Sequence, residues 1–268
     1  MKGISVIAGN GVLPGLVAAG ARKAGVRVCM VSHVGETDPK SEAMADEVER
    51  VRVGQLGKVL KAMGKFGYKE VAFAGGLKKV GLLSGAMPDI VGLMFLSGGR
   101  DRKDDSMLRK LAALMESRGY EVIACTRYCP ELLVPRGNMG RRSPERQQVL
   151  DGAYGMRLLD ALSDFSTGQA VVVNDGTVLA VEAVEGTDAM IDRVASMKLK
   201  GAVLVKAAKK GQDPRFDIPA IGPLTLPRCD HAGISAIILE AGRTMLLGRD
   251  ETMRAADRCG ISISGVDR

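Results

Sequence analysis

The sequence predicts an α/β protein of two domains: an N-terminal Rossmann-like domain with a parallel sheet, and a C-terminal α+β domain with a mixed sheet. Strand-like and helix-like segments alternate over the first half, which is typical of a parallel sheet. A stretch rich in Pro, Gly and Arg follows at 135–146, as expected of a linker. Beyond it, Asn-Asp-Gly at 174–176 joins two apolar runs, which indicates an antiparallel hairpin.

The first predicted domain spans 1–134 and alternates short apolar strands with helices. Gly25 and Gly119 stand where two of these helices should end, because Gly is favoured just after the last helical residue. Ligands of such sheets bind at the carboxyl ends of the strands. The strands are expected at 4–8, 26–32, 70–74 and 120–126, and the helices at 16–24, 56–66 and 105–118.

The second predicted domain spans 147–268 and mixes strands with helices. Ser143 is the expected N-cap of a helix that starts at Pro144 and runs to about 162. Further helices are expected at 187–197 and 250–258, with a long polar loop at 207–231. The strands are expected at 169–174, 177–184, 202–206, 234–239, 244–247 and 261–263.

Charge and composition narrow the class of partner. The 268 residues carry a formal net charge of +7, which favours anionic partners such as nucleotides and phospholipid headgroups. Aromatic residues are only 3% and Trp is absent, so binding of nucleic acid by base stacking is not expected.

Cysteine usage and hydropathy indicate a cytoplasmic protein. The five Cys residues are an odd number and form no Cys-x-x-Cys motif, so a disulfide framework is not expected. The apolar start of the chain passes straight into a Gly turn, which indicates a first strand rather than a signal peptide. The apolar stretch 90–96 is too short to span a bilayer.

The turn after the first strand has the composition of a phosphate-binding turn. Glycine permits close approach, and the start of the following helix favours an anion. The spacing departs from the dinucleotide fingerprint, because Pro14 stands where a third Gly is expected and no acid ends the second strand. A phosphate-binding turn and a purely structural turn both stay open. The candidate nucleotide-binding residues are Gly9, Asn10, Gly11, Leu13 and Pro14, with Gly75, Gly76 and Lys78 after a later strand.

Carboxylates are densest in two clusters of the second half, at 182–188 and 213–217. Glu182 interrupts an apolar run, where a carboxylate is costly unless it is paired or bound to metal. Carboxylates are suitable ligands for Mg²⁺ or Mn²⁺, and the Lys and Arg side chains nearby are suited to binding a diphosphate. A salt-bridged loop that only stabilises the domain is the alternative. The candidate metal ligands are Asp217, Asp213, Glu182, Glu185 and Asp188, and the candidate catalytic residues are Asp217, Asp213, Lys206 and Arg215.

Other catalytic chemistries find no support in the sequence. It has only two His residues, so a His-rich zinc site is not expected. It contains no His-Glu-x-x-His, Gly-x-Ser-x-Gly or Walker A motif.

Four segments together carry a resemblance to a known family. In chain order they are Ile7–Pro14, Gly168–Val173, Glu182–Arg193, and Lys206 followed by 212–225. Together they resemble the LpxI-type UDP-2,3-diacylglucosamine pyrophosphatases of lipid A biosynthesis. The resemblance extends over nearly the whole chain. Its most specific parts are Glu-Gly-Thr-Asp at 185–188 and Gln-Asp-x-Arg-x-Asp at 212–217.

The resemblance implies an activity and a cellular location. The activity is Mg²⁺-dependent hydrolysis of UDP-2,3-diacylglucosamine to UMP and 2,3-diacylglucosamine 1-phosphate (lipid X), with water attacking the phosphorus on the sugar side. It implies two domains around a lipid-lined cavity, a homodimer, and a cytoplasmic protein associated peripherally with the anionic inner membrane. Arg141 and Arg142 in the linker are candidates for that membrane contact.

The resemblance and the residues together suggest a division of roles. The first domain is expected to hold the uridine and ribose near 9–14, and the second to supply the metal and catalytic carboxylates. Asp217 is expected as metal ligand or as the base that orients water, while Lys206 and Arg215 stabilise the diphosphate. Residues 87–96 and the helix at 150–162 are candidates for the acyl chains.

Two departures from the family pattern leave the exact phosphate contacts open. Leu-Lys-Lys-Val at 77–80 stands where the family more often has Arg-Pro, and Lys210 stands where Pro is usual. A non-catalytic carrier of a nucleotide sugar or lipid is the main alternative function. An NAD-dependent oxidoreductase is a further alternative, which would require cofactor binding.

Overall fold

The structure is a computed structural model that describes residues 2–76, 88–92, 104–165 and 167–268. This part of the chain forms two compact units with different sheets. No helix within these ranges is long and apolar enough to cross a membrane. The first unit comprises Met1–Pro130 and Asp213–Asp217, and the second comprises Glu131–Gln212 and Ile218–Arg268.

The first unit has a parallel five-stranded sheet, as predicted. Its strands are β1 (Gly3–Ala8), β2 (Arg27–His33), β3 (Glu47–Val51), β4 (Glu70–Ala74) and β5 (Glu121–Ile123), in the order β3-β2-β1-β4-β5. The central strands β1 and β2 are almost continuously buried, as expected where helices cover both faces. Its described helices include α1 (Leu13–Lys23), α2 (Pro39–Glu42), α3 (Leu56–Phe66) and α4 (Asp104–Glu116).

Three features of the first unit differ from the prediction. β3 was not predicted because this edge strand, Glu-Val-Glu-Arg-Val, has three charged residues among five, buries only Val51 fully and lacks an apolar run. The single turn of α2 begins at Pro39 and is capped by Asp38, which accepts a bond from the Lys40 N–H at 2.9 Å. The strand predicted at 120–126 is shorter, because the chain turns into a 3₁₀ helix at Cys125–Arg127.

The second unit has a mixed six-stranded sheet, which confirms the predicted class. Its strands are β6 (Gly137–Asn138), β7 (Ala170–Asn174), β8 (Thr177–Val181), β9 (Ala202–Lys206), β11 (Ile234–Glu240) and β13 (Ser262–Val266), in the order β6-β13-β11-β9-β7-β8. β13, β11 and β9 are parallel, whereas β6, β7 and β8 each run antiparallel to a neighbour. A separate parallel pair consists of β10 (Ala220–Ile221) and β12 (Met245–Leu246).

The helices of the second unit are α5 (Arg146–Ala161), α6 (Thr187–Ala195), α7 (Thr225–His231) and α8 (Arg249–Cys259). The predicted cap of the first of these was wrong. The helix starts after Glu145, whose N–H donates to the Gln148 side chain at 2.8 Å, and not at Pro144. A Gln three residues into a helix can reach back to its start in this way.

The predicted hairpin is confirmed. Asp175 and Gly176 connect β7 to β8 with φ of 48° and 72°, the left-handed pair that a two-residue turn of this type needs. The buried carboxylate of Asp151 accepts both of their N–H groups at 2.8 Å. Asp151 therefore stabilises the turn end of the sheet.

The predicted linker and the predicted polar loop both contain regular structure. Gly137–Asn138 lies within the proposed linker 135–146 but pairs with β13 at the edge of the second sheet. The loop predicted over 207–231 includes β10 and α7. Pro227 and a length of only 7 residues hide the helical pattern of α7, which buries Leu226 and Cys229.

Strand register brings four polar residues to one edge of the second sheet. Lys206 ends β9 opposite Ala170 at the start of β7 and beside Leu239 in β11. Glu182 follows β8, and its N–H donates to the Ala170 carbonyl at 2.9 Å. Gln169, Glu182, Lys206 and Glu240 therefore share this edge, which we call the carboxyl edge of the second sheet.

Candidate active site

The predicted nucleotide-binding turn lies at the carboxyl end of the first sheet, beside the Gly75–Gly76 turn. Gly9 donates its N–H to the Ala74 carbonyl at 2.8 Å, and Asn10 donates to the Gly76 carbonyl at 2.7 Å. A Cβ on Gly9 would lie 2.1 Å from the Gly76 oxygen. The two turns therefore share one sheet edge, and their close approach explains the glycine at position 9.

The rest of this turn leads directly into α1. Gly11 has φ of 83° and open space around its Cα, while Leu13 begins the helix and Pro14 occupies its first turn. No side chain caps this helix start, and its first turn contains no acidic residue. Such a helix N-terminus favours an anionic group.

Sequence reasoning missed the polar groups around this turn. The Ala8 carbonyl at the end of β1 accepts bonds from His33 Nδ1 at 2.9 Å and from the Thr37 hydroxyl at 2.8 Å. Burial lowers the pKa of His33. The Asn10 side chain donates to Glu36 at 3.1 Å. The position of His33, directly at the end of an apolar strand, was the available signal.

Some candidates lie outside the described residues. These are Lys78 and its neighbours, and the acyl-chain candidates 87 and 93–96. The other acyl-chain candidate, the helix at 150–162, has Gly155 packed against the second sheet and Leu150 and Tyr154 exposed to solvent.

The Asp213–Asp217 segment belongs to the first unit, whereas the sequence placed it in the second domain. Phe216 is buried in the apolar core of the first unit and meets Phe73 edge-on, with ring centroids 5.5 Å apart. Arg215 donates to Glu116 at 2.6 Å. A buried aromatic ring and an ion pair therefore fix this segment.

Asp213 and Arg215 form a close pair within that segment. Arg215 donates from Nη2 to Asp213 Oδ2 at 2.7 Å and from Nε to Oδ1 at 3.0 Å. These bonds hold the pKa of Asp213 below its ordinary value and raise that of Arg215. Asp217 ends the segment with φ of 49°, a left-handed conformation that Asp tolerates better than most residues.

The structure links Glu182 to Lys206 at the carboxyl edge of the second sheet. Lys206 Nζ donates to the Thr187 hydroxyl at 2.6 Å, and that hydroxyl donates to Glu182 Oε1 at 2.9 Å. Glu182 Oε2 accepts the Gln169 N–H at 2.9 Å. Sequence reasoning proposed Glu182 and Lys206 but treated Thr187 only as the start of a helix.

Glu185 and Asp188 are engaged in ion pairs with neighbouring arginines. Backbone hydrogen bonds hold the pKa of Glu185 below its ordinary value. A bond donated by Arg193 at 2.7 Å lowers it further. Asp188 lies 3.6 Å from Arg228 and is largely exposed. Glu185 and Asp188 are therefore bound to arginines on the surface.

A second polar network at the same edge was not predicted. Glu240 is 4% exposed; it lies 3.3 Å from Arg243 and 3.4 Å from Arg268, and accepts the Ala208 N–H at 2.8 Å. Gln212 accepts the Lys209 N–H at 2.8 Å. These bonds fix the loop that follows Lys206. The available signal was a charged residue, Glu240, at the end of an apolar strand.

The five proposed metal ligands contact different partners and are divided between the two units. Glu182, Glu185 and Asp188 belong to the second unit, and Asp213 and Asp217 to the first. Within the described ranges, no group of three or more His, Cys, Asp or Glu side chains is placed to hold a metal ion. The donor set itself, carboxylate oxygens beside Lys and Arg, suits Mg²⁺ together with substrate phosphates.

Comparison with known families covers both halves of the chain. Residues 3–132 match the LpxI N-terminal domain and residues 135–264 match the LpxI C-terminal domain. The chain belongs to the LpxI family. A relative from Caulobacter vibrioides, the UDP-2,3-diacylglucosamine pyrophosphatase LpxI, is 34% identical over 280 residues, with coverage of 100% of this chain and 98% of that protein.

Two solved structures show a remote likeness to this chain. An N5-carboxyaminoimidazole ribonucleotide synthetase from Thermotoga maritima is 13% identical with a TM-score of 0.26, and matches 69% of this chain and 42% of its own. The biotin carboxylase subunit of pyruvate carboxylase is 12% identical with a TM-score of 0.29, and matches 64% of this chain and 35% of its own. These scores are too low to bear on fold or function.

Proposed function

We propose that this chain is a UDP-2,3-diacylglucosamine pyrophosphatase of lipid A biosynthesis, a hydrolase that releases UMP and 2,3-diacylglucosamine 1-phosphate. The observation that supports it most is the full-length similarity to the Caulobacter LpxI, whose name states that activity. The placement of phosphate-binding and cationic groups at the carboxyl ends of both sheets agrees with it.

The turn of the first unit is proposed to bind the nucleotide. The open start of α1 after Gly11 offers backbone N–H groups to a phosphate. The neighbouring Asn10 side chain and the Gly75–Gly76 turn define the space beside it. Lys206 and Arg215 are proposed to stabilise the negative charge on the diphosphate.

The proposed reaction splits one phosphoric anhydride bond. Water attacks the phosphorus on the sugar side, the bond from this phosphorus to the bridging oxygen breaks, and UMP leaves with that oxygen. Asp217 is proposed either to take the proton from water or to hold Mg²⁺. When bound, Mg²⁺ would neutralise diphosphate charge, with Asp213, Glu182, Glu185 and Asp188 as further proposed ligands and Mn²⁺ as a substitute metal.

Peripheral association with the anionic inner membrane and a homodimeric state are part of the proposal. The side chain of Arg141 lies 3.4 Å from Asp257 but is 88% exposed, so it is accessible to a membrane surface. Changing Arg141 and Arg142 to Gln should weaken sedimentation with anionic vesicles. The double change Arg52→Gln and Lys65→Gln, which removes the same charge from the first unit, should not. Equal losses would refute the assignment.

The activity is tested by incubating the purified protein with UDP-2,3-diacylglucosamine in Mg²⁺ or in EDTA. UMP release with Mg²⁺ and none with EDTA is expected. In ¹⁸O-labelled water the label should enter the lipid 1-phosphate, and label in UMP would refute attack on the sugar-side phosphorus. A carrier protein, the alternative function, would bind the lipid with no UMP formed.

A further inference from the structure

We propose that Thr187 is a positioning residue for hydrolysis: its hydroxyl fixes the ammonium group of Lys206, and Glu182 orients that hydroxyl. This inference rests on the proposed function, because it gives Lys206 a role on the diphosphate. It also gives Glu182 a second task beside its proposed role as a metal ligand.

The three side chains form one continuous series of hydrogen bonds. Lys206 Nζ lies 2.6 Å from the Thr187 hydroxyl oxygen, which lies 2.9 Å from Glu182 Oε1. An ammonium group can only donate and a carboxylate can only accept. The hydroxyl proton must therefore point to Glu182, and a hydroxyl lone pair must face Lys206.

Burial makes this arrangement consequential. Lys206 is 7% exposed and Glu182 is 9% exposed. A charge at such a position is costly unless hydrogen bonds compensate it. Hydrogen bonds that involve a charged group are also shorter and stronger than neutral ones. The Thr187 hydroxyl serves both charges at once, so its removal affects both.

The backbone holds each member of the series in place. Lys206 is the last residue of β9, and Thr187 is the first residue of α6. Glu182 is anchored by the Gln169 N–H on its other oxygen. A Cβ at Gly168 would lie 2.2 Å from the Glu182 side chain, so only glycine leaves room for this carboxylate.

A fixed ammonium group stabilises a developing negative charge better than a mobile one, because it needs no reorganisation during the reaction. Lys206 ends β9 at the carboxyl edge of the sheet, where ligands of such folds bind. Lys206 is thus a preset positive charge for the diphosphate, and Thr187 and Glu182 determine where that charge is placed.

The test compares Thr187→Val, which keeps the shape but lacks the hydroxyl, with Thr187→Ser, which keeps it. Thr187→Val should lower kcat for UMP release by about tenfold to a hundredfold, the value of a hydrogen bond to a charged group. KM should change little, and Thr187→Ser should stay near wild type. Thr252→Val is the matched control, because that buried helix threonine donates to the Leu247 carbonyl at 2.6 Å.

A double-mutant cycle separates positioning from stability. If Thr187 acts through Lys206, Thr187→Val should add almost nothing to the loss caused by Lys206→Met. The inference would be overturned if the losses of activity of the two single variants multiplied in the double variant. It would also be overturned if Thr187→Val changed only KM or left kcat unchanged. If Thr187→Val does not fold, Thr187→Ala replaces it in the same cycle. Failure of the wild-type protein to release UMP would instead refute the proposed function.

Discussion

Asp217 allows charge and backbone conformation to be tested separately. Its φ of 49° is left-handed, and Asp175 in the β7–β8 turn has nearly the same φ of 48° at the opposite end of the second sheet from Lys206. Asn tolerates this conformation as Asp does, whereas Ala does not. Changing Asp217 to Asn removes the charge alone, and changing it to Ala also introduces strain. The same two changes at Asp175 provide the matched control.

The expected magnitudes follow from these conformations. Ala in the left-handed region costs about 1 kcal/mol relative to Asn, so both Ala variants should melt about 2–4 °C below their Asn counterparts. Loss of a group that acts on the attacking water costs about 10²–10⁴-fold in rate. Asp217→Asn should therefore lose activity with little loss of stability, while Asp175→Ala should lose stability but keep its activity.

The assay is UMP release at several Mg²⁺ concentrations, with thermal melting of each variant alongside. If Asp217 holds the metal, the Mg²⁺ concentration for half-maximal rate should rise in Asp217→Asn. If it is the base, kcat should fall at an unchanged Mg²⁺ requirement. A rate within threefold of wild type in Asp217→Asn, or an equal loss in Asp175→Asn, would refute the reasoning.

Three further changes test other parts of the structure. Gly9→Ala would place a Cβ 2.1 Å from the Gly76 oxygen, so UMP binding measured by calorimetry should weaken. Arg215 holds the pKa of Asp213 below its ordinary value, so this carboxylate stabilises the fold above about pH 4 and ceases to do so as pH falls through the lowered pKa. The urea midpoint of Asp213→Asn should therefore be lower than wild type at neutral pH, and the two midpoints should converge in acid. Glu240→Ala leaves the buried Ala208 N–H without its acceptor, while Arg268 keeps its ion pair with Asp160, so urea unfolding should show a loss of about 1–3 kcal/mol.

The fold class could be predicted because several elements have strong local signals. The strand at 70–74 and the helix at 56–66 were predicted at the observed bounds, since the helix buries one apolar face and ends at Gly67 with φ of 74°. β3 and α7 lack such signals. An edge strand with three charged residues among five shows no apolar run, and a helix of two turns is too short for its period to be recognised.

The candidate site could be predicted as residues but not as contacts. Glu182 stands out because a charge in an apolar run needs a partner, and Lys206 because a cation near these carboxylates suits a diphosphate. Their connection through Thr187 depends on the register of β7 with β8 and β9, which no local pattern specifies. The sequence could not show that Asp213–Asp217 packs with the first unit, because the packing of Phe216 against Phe73 is a contact between distant parts of the chain.

That distant contact bears on how the chain is made. During synthesis, residues up to Pro130 leave the ribosome well before Phe216, with the segment Glu131–Gln212 in between. The nascent first unit therefore lacks one aromatic side chain of its apolar core until much of the second unit has emerged. A chain that ended near Pro130 would lack Phe216 and expose part of its apolar core. Chaperones would be needed to cover that surface, because incompletely packed domains aggregate.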